Sequence, residues 1–193
     1  MACIILDDGR KFWITRADLL ASGWHEGSAA NRRDFEHYVL LYQYPHALNQ
    51  AVSMLARRPC SMGEIRHNLK RHHYDENVID LVICKLEKEK LLNDQEFSEI
   101  WVQQRCKKYG SFRIRQELKA KGISEATAED ALSHVSDAEM LENATTLAAK
   151  EWSKIKPGED IRKSRHKVIT SLVRKGYEWD MAKQASDTVE KQK

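Results

Sequence analysis

The residues that could do chemistry are few, and their spacing argues against most chemistries. His67, His72 and His73 lie near Glu64 and Asp75, residue types from which a zinc site can be built. On a helix, two ligands sharing one face stand four apart, as in H-E-x-x-H, whereas His67 and His72 are five apart and that motif is absent. These histidines are expected to be solvated or capping residues. The four cysteines, Cys3, Cys60, Cys84 and Cys106, form no C-x-x-C and no zinc-like pattern, so they read as small apolar residues in a reducing compartment. The acid pair Glu87 and Glu89 sits in charged helical text, with no apolar pocket implied to raise a carboxyl pKa. No G-x-x-x-x-G-K-[ST], G-x-G-x-x-G or G-x-S-x-G occurs. The expectation is a protein without catalytic residues, cofactor or metal.

What the sequence does concentrate is positive charge. Net charge is only +3, but seven bases stand against one acid, Glu117, between Arg105 and Lys121. From Arg162 to Lys175 there are six bases and no acid, and from Gly122 to Ala149 six acids and no base. Segregation of this kind suggests a cationic face and an anionic partner. Arg66/Lys70 and Arg115/Lys119 are pairs four apart, and on a helix the second pair lies about 100° round from Ile114/Leu118. They should point outward while the apolar pair holds the helix down. Farther on, Ile169 and Val173 take those places and the charge moves to Lys167, Arg174 and Lys175.

The elements that must position these bases are helices. Glycine and proline number 8 and 3 in 193 residues, which disfavours a loop-rich β fold. No run of about 18 apolar residues is present to span a bilayer, and MACIILDDGRKF lacks the basic region of a signal peptide. A cytoplasmic protein is expected. Ile4 and Leu6, then Phe12 and Ile14, alternate around Asp7-Asp8-Gly9-Arg10, which predicts a β-hairpin. A short helix is predicted over 16–22, closed by Gly23, and a connecting helix over 26–44 with Phe35, Val39 and Tyr42 on one face, ending before Pro45.

From His46 onward one phrase recurs three times. Aligning Leu69, Leu118 and Leu172 superposes His73, Gly122 and Gly176, then Tyr74, Ile123 and Tyr177, then Val82, Ala131 and Ala185. Repetition at this period predicts three copies of a three-helix unit. Gly122 and Gly176 suit the left-handed residue that ends a helix, and the Ile or Tyr after it supplies the apolar contact of that motif. Asp75 and Ser124 stand at N-cap positions, and Ser61-Met62-Gly63-Glu64 reads as a capping box. Apolar stripes are predicted at Leu48/Val52/Leu55, Val78/Val82/Leu86, Phe97/Trp101, Ile114/Leu118 and Ala128/Ala131/Val135. The fold class is therefore mainly α, an elongated array of three tandem three-helix repeats with a short N-terminal β-hairpin extension. Boundaries are placed at 1–45 for hairpin and connecting helix, then 46–92, 93–135 and 136–193 for the repeats.

The chain also resembles the RecX family, regulatory proteins of the RecA recombinase. The resemblance is carried by Leu55-Ala56-Arg57-Arg58-Pro59 with Ser61-x-x-Glu64-Ile65, and by Leu91-Leu92-Asn93-Asp94-x-x-Phe97. It continues through Trp101-Val102-x-x-Arg105, Gly110, Ile114-x-x-Glu117-Leu118 and Lys121-Gly122-Ile123. His73 departs from it, standing where Gly is expected before Tyr74, and the third repeat carries Pro157-Gly158 in a longer connection.

The resemblance implies a nonenzymatic modulator, acting as a monomer in recombination, repair and the SOS response. It would bind the groove of the RecA filament on single-stranded DNA and restrain ATP hydrolysis, strand exchange and coprotease activity. Nucleic acid would be met directly or through the filament. The contact set would be Arg57, Arg58, Arg66 and Lys70, then Arg105, Lys107, Lys108, Arg113, Arg115, Lys119 and Lys121. In the third repeat it would be Arg162, Lys163, Arg165, Lys167, Arg174 and Lys175. Two rival readings of the same helices are a helix-turn-helix DNA-binding protein acting without RecA and a repeat scaffold for an acidic protein.

Overall fold

The computed structural model describes residues 2–7, 9, 11–29, 32–156 and 158–191. In chain order these form strands β1 (Ala2–Ile5) and β2 (Lys11–Ile14), then α1 (Arg16–Ser22), α2 (Arg32–Leu55), α3 (Met62–Arg71) and α4 (Glu76–Lys88). There follow α5 (Asp94–Arg105), α6 (Ser111–Ala120), α7 (Glu125–Ser133), α8 (Asp137–Trp152), α9 (Ile161–Arg174) and α10 (Trp179–Glu190). The chain divides into two compact units, Met1–Asn93 and Asp94–Lys193.

In the first unit β1 and β2 pair antiparallel, with Ala2 opposite Ile14 and Ile5 opposite Lys11. Strand alternation turns Phe12 and Ile14 inward, and Phe12 meets Phe35 edge-on at 4.2 Å. Of the expected turn, Asp8 and Arg10 lie outside the described residues. Gly9 has φ 83° and donates its N–H to the Leu6 carbonyl at 2.9 Å. Thr15 caps α1, and Gly23 in the left-handed region ends it, as its position predicted.

The connecting helix does not stop at Pro45. One helix, α2, runs from Arg32 to Leu55 with the proline inside it. An interior proline lacks a hydrogen-bond donor and crowds the carbonyl four residues back, a cost of about 3 kcal/mol. Continuous burial on both sides of it offsets that cost: Phe35 and Val39 before, Ala47 and Ala51 after, with Gln43 between. The expected stripe Leu48/Val52/Leu55 is therefore on the wrong face. Val52 is exposed, and Leu48 and Leu55 only flank the core. Alanine at 47 and 51 lets α3 and α4 approach α2 closely, a role that a hydrophobicity pattern weighted toward large residues misses.

Three three-helix groups follow, formed by the latter part of α2 with α3 and α4, by α5 to α7, and by α8 to α10. Each middle helix ends in the same way. His73, Gly122 and Gly176 have φ of 63°, 79° and 91°, and the next residue's N–H bonds back to Leu69, Leu118 or Leu172 at 3.1–3.2 Å. This is the Schellman arrangement. His73 adopts it without being glycine, while the Trp13 ring of β2 stacks on its imidazole at 4.8 Å. Gln43, buried nearby, donates to the Trp13 carbonyl at 2.7 Å and accepts from the Asp75 amide at 2.8 Å. The hairpin is thus fastened to the α3–α4 turn. The Ser61 capping box and the Asp75 and Ser124 N-caps form as expected.

In the second unit Ile114, Leu118 and Leu172 are fully buried among small residues of α7, α8 and α10, including Ala128, Ala144, Ala148 and Ala182. Trp152 donates its indole N–H to Ser186 inside the third group at 3.3 Å. The second and third groups are joined where the Gly110 amide donates to the Lys175 carbonyl (3.0 Å) and the Phe112 amide to the Gly176 carbonyl (3.2 Å). The first turn of α6 has donors without helical partners and the last turn of α9 has acceptors without them, so each end caps the other. No described helix is long and apolar enough to cross a membrane.

Candidate nucleic-acid interface

The basic residues of the second repeat sit on the last turn of α5, the following turn and α6. Phe97, Trp101, Arg105 and Tyr109 stand four apart along α5 and the turn after it, and α6 brings Arg113 over the last of these rings. The Arg105 guanidinium lies 5.4 Å from the Trp101 ring centre and 4.5 Å from that of Tyr109. Arg113 covers Tyr109 at 3.9 Å, and Lys121 covers Trp101 at 4.2 Å. Glu117 is the hub. It accepts Arg105 through both oxygens (2.7 and 2.5 Å), the Trp101 indole N–H at 3.2 Å and Arg113 at 3.4 Å. Hydrogen bonding from Arg105, then its charge, holds the Glu117 carboxyl below the usual carboxylate range, against the opposing effect of burial.

Arg105 is accordingly a fixed part of the repeat, with its side chain 28% exposed. Other expected contact residues are also engaged internally. Arg115 pairs with Glu129, joining α6 to α7. At the equivalent place in the first repeat, Arg66 pairs with Asp80 (2.5 Å) and Glu76 (3.3 Å), and Lys70 with Glu76 (2.6 Å), joining α3 to α4. In the third repeat Arg165 pairs with Asp187 on α10, and Lys167 with Glu159. Arg58 engages Glu64, and Arg57 donates to the Ser53 carbonyl. Arg66, Lys70 and Arg115 stay at the surface, their side chains 37%, 49% and 35% exposed, but they are paired as well. Their helices turn them toward acids on the next helix, which a stripe drawn on one helix alone does not reveal.

Six of the named residues differ. Lys107, Lys108 and Lys119 in the second repeat, and Arg162, Lys163 and Arg174 on α9, are exposed and make no ion pair among the described residues. Lys175 is half-buried and gives its carbonyl to the Gly110 amide. Trp101, Tyr109 and Glu117 were not among the expected site residues. The 97/101/105/109/113 spacing was the available signal.

The chemical candidates are dispersed. His67 and His72 are exposed, and His73 stacks on Trp13. Among the described residues no group of three or more His, Cys, Asp or Glu is placed to hold a metal. Cys60 and Cys106 are buried and Cys3 and Cys84 exposed, all four with free thiols. Burial pushes the Cys106 thiol pKa up, away from nucleophilic reactivity.

A hairpin followed by three successive three-helix groups, with exposed lysines and arginines on the second and third, defines a tandem three-helix-domain protein. Family models match each group in order: RecX first three-helix domain at residues 47–86, second at 93–132 and third at 137–185. The chain belongs to the RecX family. The regulatory protein RecX of Listeria monocytogenes serotype 4a is 29% identical over 185 residues, covering 95% of this chain and 68% of that protein. RecX of Streptococcus pneumoniae (strain Hungary19A-6) is 26% identical over 189 residues, covering 97% and 72%. Among solved structures, RecX from Lactobacillus salivarius superposes with TM-score 0.71 at 26% identity, covering 76% of this chain and 96% of that one. A second structure, titled regulatory protein RecX, gives 0.72 at 22% identity over 96% and 94%, a likeness of fold.

Proposed function

We propose that this chain is a regulator that binds the RecA filament on single-stranded DNA and restrains its ATP hydrolysis, strand exchange and coprotease activity. It does so as a monomer in the cytoplasm. The observation that carries the reading is the ordered match of all three repeats to the three RecX domains. The chemistry supports it: consecutive repeats present exposed lysine and arginine, and several weak contacts on one polymer multiply through effective concentration. Lys107, Lys108, Lys119, Arg162, Lys163 and Arg174 meet the partner's phosphates or acidic side chains. Arg113, held by a 3.4 Å bond to Glu117 and by the Tyr109 ring but still 43% exposed, joins them, while Arg105 positions the surface from within.

The helix-turn-helix reading is weaker on charge. The helix that would enter a groove is the third of each repeat, and these open with acids: Glu76 and Asp80 on α4, Glu125, Glu129 and Asp130 on α7, and Asp180 on α10. Such N-terminal turns repel phosphate.

Co-sedimentation with preassembled RecA filaments, beside RecA-free single-stranded DNA, tests the reading. Preferential pelleting with filaments, together with slowed ATP hydrolysis, supports it. Equal partition onto bare DNA overturns it, as does ATP turnover unchanged at saturating protein.

A further inference from the structure

Outside the cationic surface, the first unit carries an apolar groove of about 530 Å³ between α2 and α4. One wall is His37, Leu40, Leu41 and Tyr44, and the other is Leu81, Cys84, Lys85 and Lys88. Both walls follow the same rhythm, positions 0, 3, 4 and 7, which is one face of a helix over two turns. Two such faces side by side, each with an outward leucine, form the seat into which a third helix lays its own apolar face. Leu41 and Leu81 are 53% and 48% exposed, although α2 and α4 have already buried a separate set, Phe35, Val39, Val78, Ile79, Val82 and Leu86, in the core. Leu40 and Tyr44 also pack against that core, so what folding leaves uncovered is the pair Leu41 and Leu81.

Its polar lining has one sign. Among the described residues no carboxylate lines it, and the ionisable nitrogens that do are those of His37, Lys85 and Lys88. Lys85 pairs with Glu89, outside the groove, at 2.7 Å and with both side chains about half exposed, an exposed i,i+4 pair of the weak kind that an incoming carboxylate can replace. Lys88 makes no ion pair among the described residues. A basic or neutral helix would leave these ammonium groups unmatched beside apolar contacts, and a polyanionic strand would leave the leucines in water. We infer that the α2–α4 groove is a docking site for an amphipathic helix of a partner protein, apolar on one face and acidic along its rim. This interaction is separate from the filament contact and does not depend on it.

Cys84 gives a direct readout, because it lines the groove and is exposed, whereas Cys60 and Cys106 are buried. In the full chain carrying Cys3→Ser, alkylation of Cys84 by N-ethylmaleimide is followed with and without a designed 16-residue helix. That helix bears leucines at 0, 3, 4 and 7 flanked by glutamates. A second version has lysines in place of the glutamates. The acidic helix is expected to slow alkylation about fivefold or more near saturation, and the basic one to have little effect. Leu41→Glu and Leu81→Glu, both at exposed positions, abolish the protection. Lys85→Glu with Lys88→Glu transfers it to the basic helix. Equal protection by both helices, protection by neither, or protection by single-stranded DNA overturns the inference. So does protection that grows with the protein's own concentration in the absence of peptide, which would make the groove a seat for a second copy.

Discussion

Gly110 and Gly176 meet backbone to backbone. A Cβ on Gly110 would stand 2.3 Å from the Gly176 carbonyl oxygen, and one on Gly176 would stand 2.5 Å from Arg113 Cβ and its amide nitrogen. Neither obstacle is the movable end of a side chain. The contact couples the C-terminus of α9 to the N-terminus of α6, and only hydrogen atoms fit between them.

Gly176→Ala should therefore cost more than left-handed strain alone, about 2–4 kcal/mol. Gly122→Ala, at φ 79° in the second repeat, should cost only about 1–2 kcal/mol. Urea unfolding of both variants beside the parent checks the ranking, and equal costs would mean that the glycine contact is incidental.

Trp13 and His73 make a second testable pair. Replacing His73 by Gly removes about 1 kcal/mol of left-handed strain but loses a ring stack worth about 0.5–1.5 kcal/mol. The change should be nearly neutral in the parent and stabilising by about 1 kcal/mol once Trp13 is Ala. A double-mutant cycle reads this coupling. Independent effects would mean that the stack contributes nothing.

Glu117 predicts a pH dependence. Its carboxyl pKa is depressed in the folded chain, chiefly by Arg105, so its stabilisation is complete above the ordinary carboxylate pKa near about 4.3. That stabilisation is lost as pH falls through the lower folded value. Glu117→Gln should cost about 1–3 kcal/mol at pH 7, and the difference from the parent should shrink as the solution is acidified. Chemical denaturation at pH 7 and pH 3 measures both.

At the other end of the scale, burial pushes the Tyr177 hydroxyl up to about 12, while it donates to the Cys106 carbonyl at 3.4 Å. A raised phenol pKa means that the folded state holds the proton longer. Stability is complete below the unfolded value near about 10 and declines as pH rises through about 12. Tyr177→Phe should remove this alkaline sensitivity, at a cost of about 1 kcal/mol at pH 7. Thermal scans at pH 8 and pH 11 compare the two.

The exposed lysines should report on binding rather than folding. Lys107→Ala, Lys108→Ala and Lys119→Ala combined should leave the melting temperature within a few degrees of the parent. The same triple change should flatten the salt dependence of filament binding by about two to three units of slope. Arg105→Ala should instead lower stability first, because it removes the main partner of Glu117 and leaves only the Trp101 and Arg113 bonds. Melting curves and salt titrations on both variants separate the two roles.

Much of this architecture was legible in the chain because it rests on local chemistry. The left-handed residue after each middle helix, the Ser61 capping box, the Asp-Gly hairpin signal and Ile114/Leu118 follow from a few neighbouring residues. His73 was legible as a departure, and the ring of Trp13, 60 positions upstream, was not. Pro45 misled because its local penalty is real, and only burial contributed by β2, α3 and α4 outweighs it. The cationic set was recognised by composition, but its division into paired and unpaired residues depends on which acids the next helix brings within reach. Arg115 and Lys119 read alike along the sequence. In the folded repeat the first is matched to Glu129 and the second is exposed.

The unbroken run of α2 bears on how this protein can be cut. A fragment designed to begin at His46, where the first repeat reads as starting, would sever one rod in its middle. It would discard Phe35, Val39 and Gln43 from beneath α4 and release the anchor that Gln43 gives the Asp75 amide. Truncations meant to dissect activity should keep everything from the hairpin to Asn93 together. Loss of function in a shorter piece would otherwise record unfolding.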